Sequence, residues 1–171
     1  MKSKFVVSFF LLTFLGLAGA QATTVHGLFL NKECGFQVKI PSGWRIKPVP
    51  PKQCTFKVIV PQHPDGDLEI LVRDGEMAQG SDDLGFSKED GKWIVQGEGS
   101  SQATEIHSSS WTGLQGSVDT RIYSKAGYSG LGSQTRALLF DRKNKIAEVT
   151  AYDGEEFVPQ FVKGFQFLAQ P

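Results

Sequence analysis

The chain has 171 residues, in which 18 Lys and Arg balance 18 Asp and Glu, and it holds only two Cys. That length suits a single domain. The even charge excludes a strongly basic nucleic-acid binder and a highly charged disordered chain.

The N-terminal stretch stands apart from the rest. Lys2 and Lys4 make a positive start, and Phe5 to Ala18 is an apolar run broken only by Ser8, Thr13 and Gly16. Small residues follow, as Ala18-Gly19-Ala20 and Ala20-Gln21-Ala22. This is the layout of a secretory signal peptide over residues 1–22, too short to span a bilayer. Cleavage is expected after Ala20 or Ala22. No Cys follows, which argues against a lipid anchor. Cutting after Ala22 leaves 149 residues, 16 of them basic and 18 acidic. No second apolar stretch is long enough to cross a membrane. The remaining 23–171 is expected to be one exported domain, periplasmic or extracellular.

Phe36, Val38 and Ile40 alternate with Gln37 and Lys39, which predicts a half-buried strand. Pro41 ends it and Gly43 gives turn freedom. Trp44 and Ile46 alternate with Arg45 and Lys47, and Pro48, Pro50 and Pro51 make an extended connector. Cys54, Phe56, Val58 and Val60 alternate again. Leu68 to Val72 is a short strand. Glu76 to Leu84 has room for one or two helical turns, weakened by Gly80. Asp90-Gly91 is a two-residue hairpin signal before a strand at 92–96. Further strands are expected at 104–108 and along Leu114, Gly116, Val118, Thr120 and Ile122. Lys125 to Ser133, with Gly127, Gly130 and Gly132, is expected to be a loop. Arg136 to Phe140 is nearly all apolar, which predicts burial on both faces, and Ile146 to Tyr152 returns. Finally Phe157, Val158, Phe161, Val162 and Phe165 form one helical stripe. Pro159 must lie in the first turn, so the helix is expected to start near Glu155. The predicted class is α+β: an antiparallel sheet of about six to eight strands packed against helices, including a C-terminal amphipathic helix.

Cys34 and Cys54, two Cys in an exported chain, are expected to form a disulfide rather than a redox pair or a metal site. If 36–40 paired with 54–60 as a plain hairpin, Cys34 would lie roughly six residues, about 20 Å, from its partner. A bridge needs Cα atoms within about 7 Å. The expected path therefore turns at Pro41-Ser42-Gly43, runs 44–48 back beside 36–40, and delivers Cys54 next to Cys34.

Asn31-Lys32-Glu33-Cys34-Gly35-Phe36-Gln37-Val38-Lys39-Ile40-Pro41-Ser42-Gly43-Trp44 resembles the opening of PsbP-like and DcrB-like domains. Those start with an Asn, a Gly-Phe, alternating apolar residues and Pro-x-Gly-Trp. The strands at 55–60 and 68–72 are similarly placed, and Tyr152 to Phe167 resembles the family's end. The two Cys depart from the pattern. The resemblance implies an antiparallel sheet flanked by helices and a non-catalytic accessory role. It carries over no catalytic residue.

Candidate chemistry is sparse. His63, Asp65, Asp67 and Glu69 share one parity along an extended chain and could offer ligands to Ca²⁺ or Mn²⁺; Pro64-Asp65-Gly66 also reads as a solvated turn. His107 could reach Ser109 but not Ser108 on a strand, yet no nucleophile elbow is present. Gly127 to Gly132 lacks the Lys and the following helix of a phosphate loop. Its Tyr128 and Leu131 are instead candidates for a contact surface. Trp44, Arg45, Lys47, Lys52 and Lys57 form a local basic patch, which also reads as an ordinary charged strand face. The expected function is a non-catalytic accessory or binding protein, monomeric and without a cofactor. Its partner would be a protein or small ligand of the cell envelope. The alternative is a hydrolase using His107, or a metal-dependent enzyme at the His63 cluster.

Overall fold

The computed structural model describes residues 23–25, 27–47, 54–61, 63, 67–124 and 127–169, with backbone alone at 23–25, 123, 124 and 128. Residues 1–22, expected as a signal segment, the Pro-rich connector, Lys52 and Asp65 lie outside the described residues. In chain order the elements are β1 (Thr23–Val25), β2 (Leu28–Asn31), β3 (Phe36–Lys39), β4 (Arg45–Lys47), β5 (Thr55–Ile59) and β6 (Leu68–Asp74). Then come α1 (Met77–Leu84), β7 (Phe86–Glu89), β8 (Lys92–Gln96), β9 (Ser100–Gln102), β10 (Thr104–His107), β11 (Thr112–Ser124) and β12 (Gly127–Phe140). β13 (Lys145–Tyr152), α2 (Val158–Lys163) and β14 (Phe165–Phe167) complete the chain.

The strands form three antiparallel sheets. The largest has the order β10-β11-β12-β13-β6-β5-β4, the second β1-β2-β3-β14 and the third β7-β8-β9. Period-two alternation gives the large sheet two apolar faces. Phe56, Val58, Leu68, Ile70, Val72, Ala137, Leu139, Ala147 and Val149 pack against the four-stranded sheet and α2. Leu114, Val118, Leu138 and Ile146 pack the other way, with Leu84, Phe86, Val95 and Ala103 of α1 and the small sheet. The apolar run at 136–140 is thus buried on both sides, as its composition predicts. Gly80 is where α1 touches the sheet: a Cβ there would stand 2.7 Å from Leu138 Cδ1. Gly116 does the same for the small sheet, 2.8 Å from Val95 Cγ1.

The α+β expectation is corrected. The chain is mostly β, and the described residues hold only two helices, of eight and six residues. The C-terminal stripe is buried throughout, but it is not one helix. Residues 155–157 form a turn, α2 starts at Val158, and Phe165 belongs to β14, which pairs with β3. A helical stripe and a strand's inward residues both present Phe to the same core, so periodicity did not separate them. The expected loop at 125–133 is also corrected, because Gly127 to Ser133 is strand, paired with Asp119 to Ser124.

The disulfide is present, with Cα atoms 5.6 Å apart, but its path differs. β4 pairs with β5, not beside β3. Cys34 and Cys54 precede strands of two different sheets, so the bridge crosses the sandwich and no hairpin register limits it. Two residues beyond each Cys, the rings of Phe36 and Phe56 stack at 5.2 Å. Phe165 stacks on the other side of Phe36 at 5.4 Å. The indole N–H of Trp111 donates to the Phe165 carbonyl at 2.8 Å and closes the edge of β14. On the far side, Arg136 donates to the carbonyls of Leu84 and Gln96, both at 2.8 Å. Burial pushes its guanidinium below the usual arginine value.

Denatured, non-reduced mature protein should titrate no free thiol. Cys34→Ser with Cys54→Ser should lower stability by about 3 kcal/mol, the scale expected for a loop of this length. Phe161, fully buried in α2, should cost about 3–5 kcal/mol on truncation to Ala. An unchanged denaturation midpoint would show α2 to be peripheral. Arg136→Ala should cost about 2–3 kcal/mol by leaving two carbonyls without their charged donor, read in the same unfolding assay.

Candidate functional site

The longest element pair does not end with its neighbours. β10 pairs with β11 only over Thr112 to Gln115, and β13 pairs with β12 only from Gln134 onward. The six pairs from Asp119↔Ser133 to Ser124↔Gly127 therefore stand beyond both flanking strands. They form a two-stranded arm about 20 Å long at strand rise per residue. A register irregularity falls between Ile122 and Tyr123, near its tip. An isolated two-stranded ribbon is marginal in water, and this one is braced at its base. The Glu98 N–H donates to the Asp119 carbonyl at 2.9 Å, and Arg121 pairs with Glu98 at 3.0 Å. Leu131, opposite Arg121 in the register, is 60% exposed. Of Tyr128 only the backbone is described, in β12 opposite Tyr123.

The His63 cluster is dispersed among different partners. The His63 ring packs 4.9 Å from the buried Phe157 ring. Asp67 is ion-paired with Lys47 and Glu69 with Lys57. Asp65 lies outside the described residues. Among the described residues, no group of three His, Cys, Asp or Glu is placed to hold a metal ion. The basic patch is thus in part a ladder of ion pairs across β4, β5 and β6. Trp44 is part of the core surface, edge-on to Phe157 at 6.2 Å. His107 is exposed on the edge strand β10, opposite Thr112. The hydroxyls of Ser108 and Ser110 meet at 3.4 Å, and His107 makes no hydrogen bond to a described side chain.

At the base of the arm lies a feature that single-residue motifs could not reveal. Ser100 and Ser101 of β9, Ser117 and Asp119 of β11, Ser133 of β12, and Glu155 surround a cavity of about 160 Å³. These residues are up to 55 positions apart in the chain. Their only sequence signal is their polar character, which they share with most of the surface.

Three comparisons bear on the chain. No family model matches it, and no curated protein matches it. Solved structures do. A crystal structure from Bacteroides thetaiotaomicron VPI-5482 is 12% identical with a TM-score of 0.52. That match covers 85% of this chain and 50% of the other, so the chain spans half the length of that protein. The solution structure of cyanobacterial PsbP (CyanoP) from Synechocystis sp. PCC 6803 is 10% identical with a TM-score of 0.49, covering 90% of this chain and 98% of that one. Both likenesses are likenesses of fold alone. No described helix is long and apolar enough to cross a membrane.

The Lys57–Glu69 pair supplies a direct check on the metal reading. The hydrogen bond to Glu69 raises the Lys57 ammonium above its ordinary 10.5, against a smaller desolvation effect. The pair's stabilisation is therefore present below 10.5 and lost as pH rises through the higher folded value. Both side chains are about half exposed, so Glu69→Gln should change stability by less than about 1 kcal/mol. It should move the Lys57 NMR titration midpoint downward. Added Ca²⁺ or Mn²⁺ should leave the wild-type midpoint in place; a downward shift would show a metal taking the carboxylate.

Proposed function

We propose that the protein is an exported accessory protein that acts by contact with a protein or small ligand of the cell envelope, without catalysis, and that the arm of β11 and β12 is its contact element. The observation that carries this reading is the arm itself. It extends beyond the sheet that supports it and presents Leu131 to solvent. An apolar side chain on a projecting, braced ribbon contributes nothing to the core, and recognition residues concentrate on such segments held out by a rigid scaffold. Export is supported by the leader-like N-terminus and by the Cys34–Cys54 disulfide, which belongs to an oxidising compartment.

Leu131→Asp tests the arm. Its effect on stability should stay within about 0.5 kcal/mol, as for exposed surface changes. Capture of an envelope partner by the immobilised mature protein should be strongly reduced. A destabilised variant would show that Leu131 packs in the fold, and undiminished capture would remove the arm from the contact. Turnover of ester, phosphoester or peptide substrates that His107→Ala abolishes would replace this reading with the hydrolase alternative.

A further inference from the structure

We infer that the cavity at the base of the arm binds a single neutral sugar ring, either free or at the end of a glycan. Its lining is chemically narrow. It is lined by Gly99, four serines, Val118, Asp119 and Glu155, with no Lys, Arg, His or aromatic residue. Two of the hydroxyls, those of Ser101 and Ser133, are already committed as donors. Ser133 Oγ donates to Glu155 Oε1 at 2.7 Å, Ser101 Oγ donates to the Ser117 carbonyl, and Ser117 Oγ shares a 2.8 Å hydrogen bond with Thr135 Oγ1. Each spent donor keeps acceptor capacity on its oxygen, beside the carboxylates of Asp119 and Glu155.

The cavity therefore asks for a ligand rich in hydroxyl or ammonium donors. Anions are repelled by the two carboxylates, and an apolar ligand would strip water from them without replacing its hydrogen bonds. Size decides between the remaining two. A divalent ion needs six to eight oxygens converging at about 2.3–2.6 Å. Among the described residues no three His, Cys, Asp or Glu are placed to hold one ion, whereas about 160 Å³ is room for several water molecules. A ring carrying several hydroxyls fills such a space and gives each carboxylate two donors. The walls come from β9, β11, β12 and the segment after β13, fixed to one another by the hydrogen bonds above, so the site is preorganised.

The test is a titration of ¹⁵N-labelled mature protein with glucose, galactose, mannose and N-acetylglucosamine, followed by amide shifts. At least one sugar should give saturable shifts confined to residues 99–101, 117–119, 133 and 155. Asp119→Asn and Glu155→Gln change exposed side chains and should weaken that sugar about tenfold each, the loss expected for a charge-assisted hydrogen bond. A disaccharide ending in the same ring separates the two sources: equal or tighter binding identifies a glycan end, and binding of the monosaccharide alone identifies the free sugar. Four results would overturn the inference: no shifts with any sugar, shifts elsewhere in the fold, sugar affinity unaffected by both variants, or saturation of the same amides by calcium chloride instead. Leu131→Asp should leave the sugar titration unchanged, so this test and that of the arm fail independently.

Discussion

The structure depends on one contact across its sandwich, the stack of Phe165, Phe36 and Phe56. Phe36 lies nearly parallel to both neighbours, at interplanar angles of 8° and 13°. Phe29 and Phe161 lean on Phe56 from either side. The stack joins the central strand β3 of one sheet to β5 of the other and to the chain's last strand. Offset aromatic pairs add specificity of geometry to the burial of their area. The disulfide fixes the same spot covalently, because its Cys lie two residues ahead of Phe36 and Phe56. Bridge and stack thus tie the starts of β3 and β5 together at neighbouring points.

Around that contact the large sheet is buried twice over, and this sets what can vary. The side facing the four-stranded sheet is filled by large aromatic and branched residues. The other side meets α1 and the small sheet at closer range, with Gly80 and Gly116 as the points of approach. Arg136 ties that second layer down by its two backbone acceptors. A charged group buried among carbonyls is specific because moving it would leave it unpaired. The small sheet is therefore held by packing, by Arg136 and by the contacts of Glu98 and Ser101 with β11, with no shared ladder.

Such a framework can carry an arm. The hairpin β11–β12 contributes its inner halves to the core and its outer halves to solvent. Its stability is borrowed from the buried portion, since ladder formation propagates along a register already fixed by Leu114↔Leu138 and its neighbours. The same projection creates the cavity beneath it, because the segment joining β8 and β9 must cross the edge of β11 where β10 has ended. Contact element and cavity are thus two consequences of one mismatch in strand length.

By itself, the sequence determined the short-range features of this protein. Alternation placed β3, β5 and β13, Leu68 to Val72 was legible as a short strand, Asp90-Gly91 marked the hairpin and β8 after it, and the nearly continuous apolarity of Arg136 to Phe140 announced a strand buried on both faces. Each is a local consequence of side-chain period or turn chemistry. The oxidised Cys pair was legible for the same kind of reason, from the number of Cys and a leader-like N-terminus. Tertiary structure decided what depends on partners distant in the chain. Glycines at 127, 130 and 132 read as a loop, but their pairing with Ser124, Ile122 and Thr120 made them strand, since backbone ladders outweigh a weak local preference. Phe165 fitted a helical stripe equally well, and only β3 beside it selected the strand. The ion pairs that claim Asp67 and Glu69, and the hydroxyls that gather around Asp119 and Glu155, follow from which strands lie side by side. Strand order is set by the whole core at once, and for that reason no local pattern announces it.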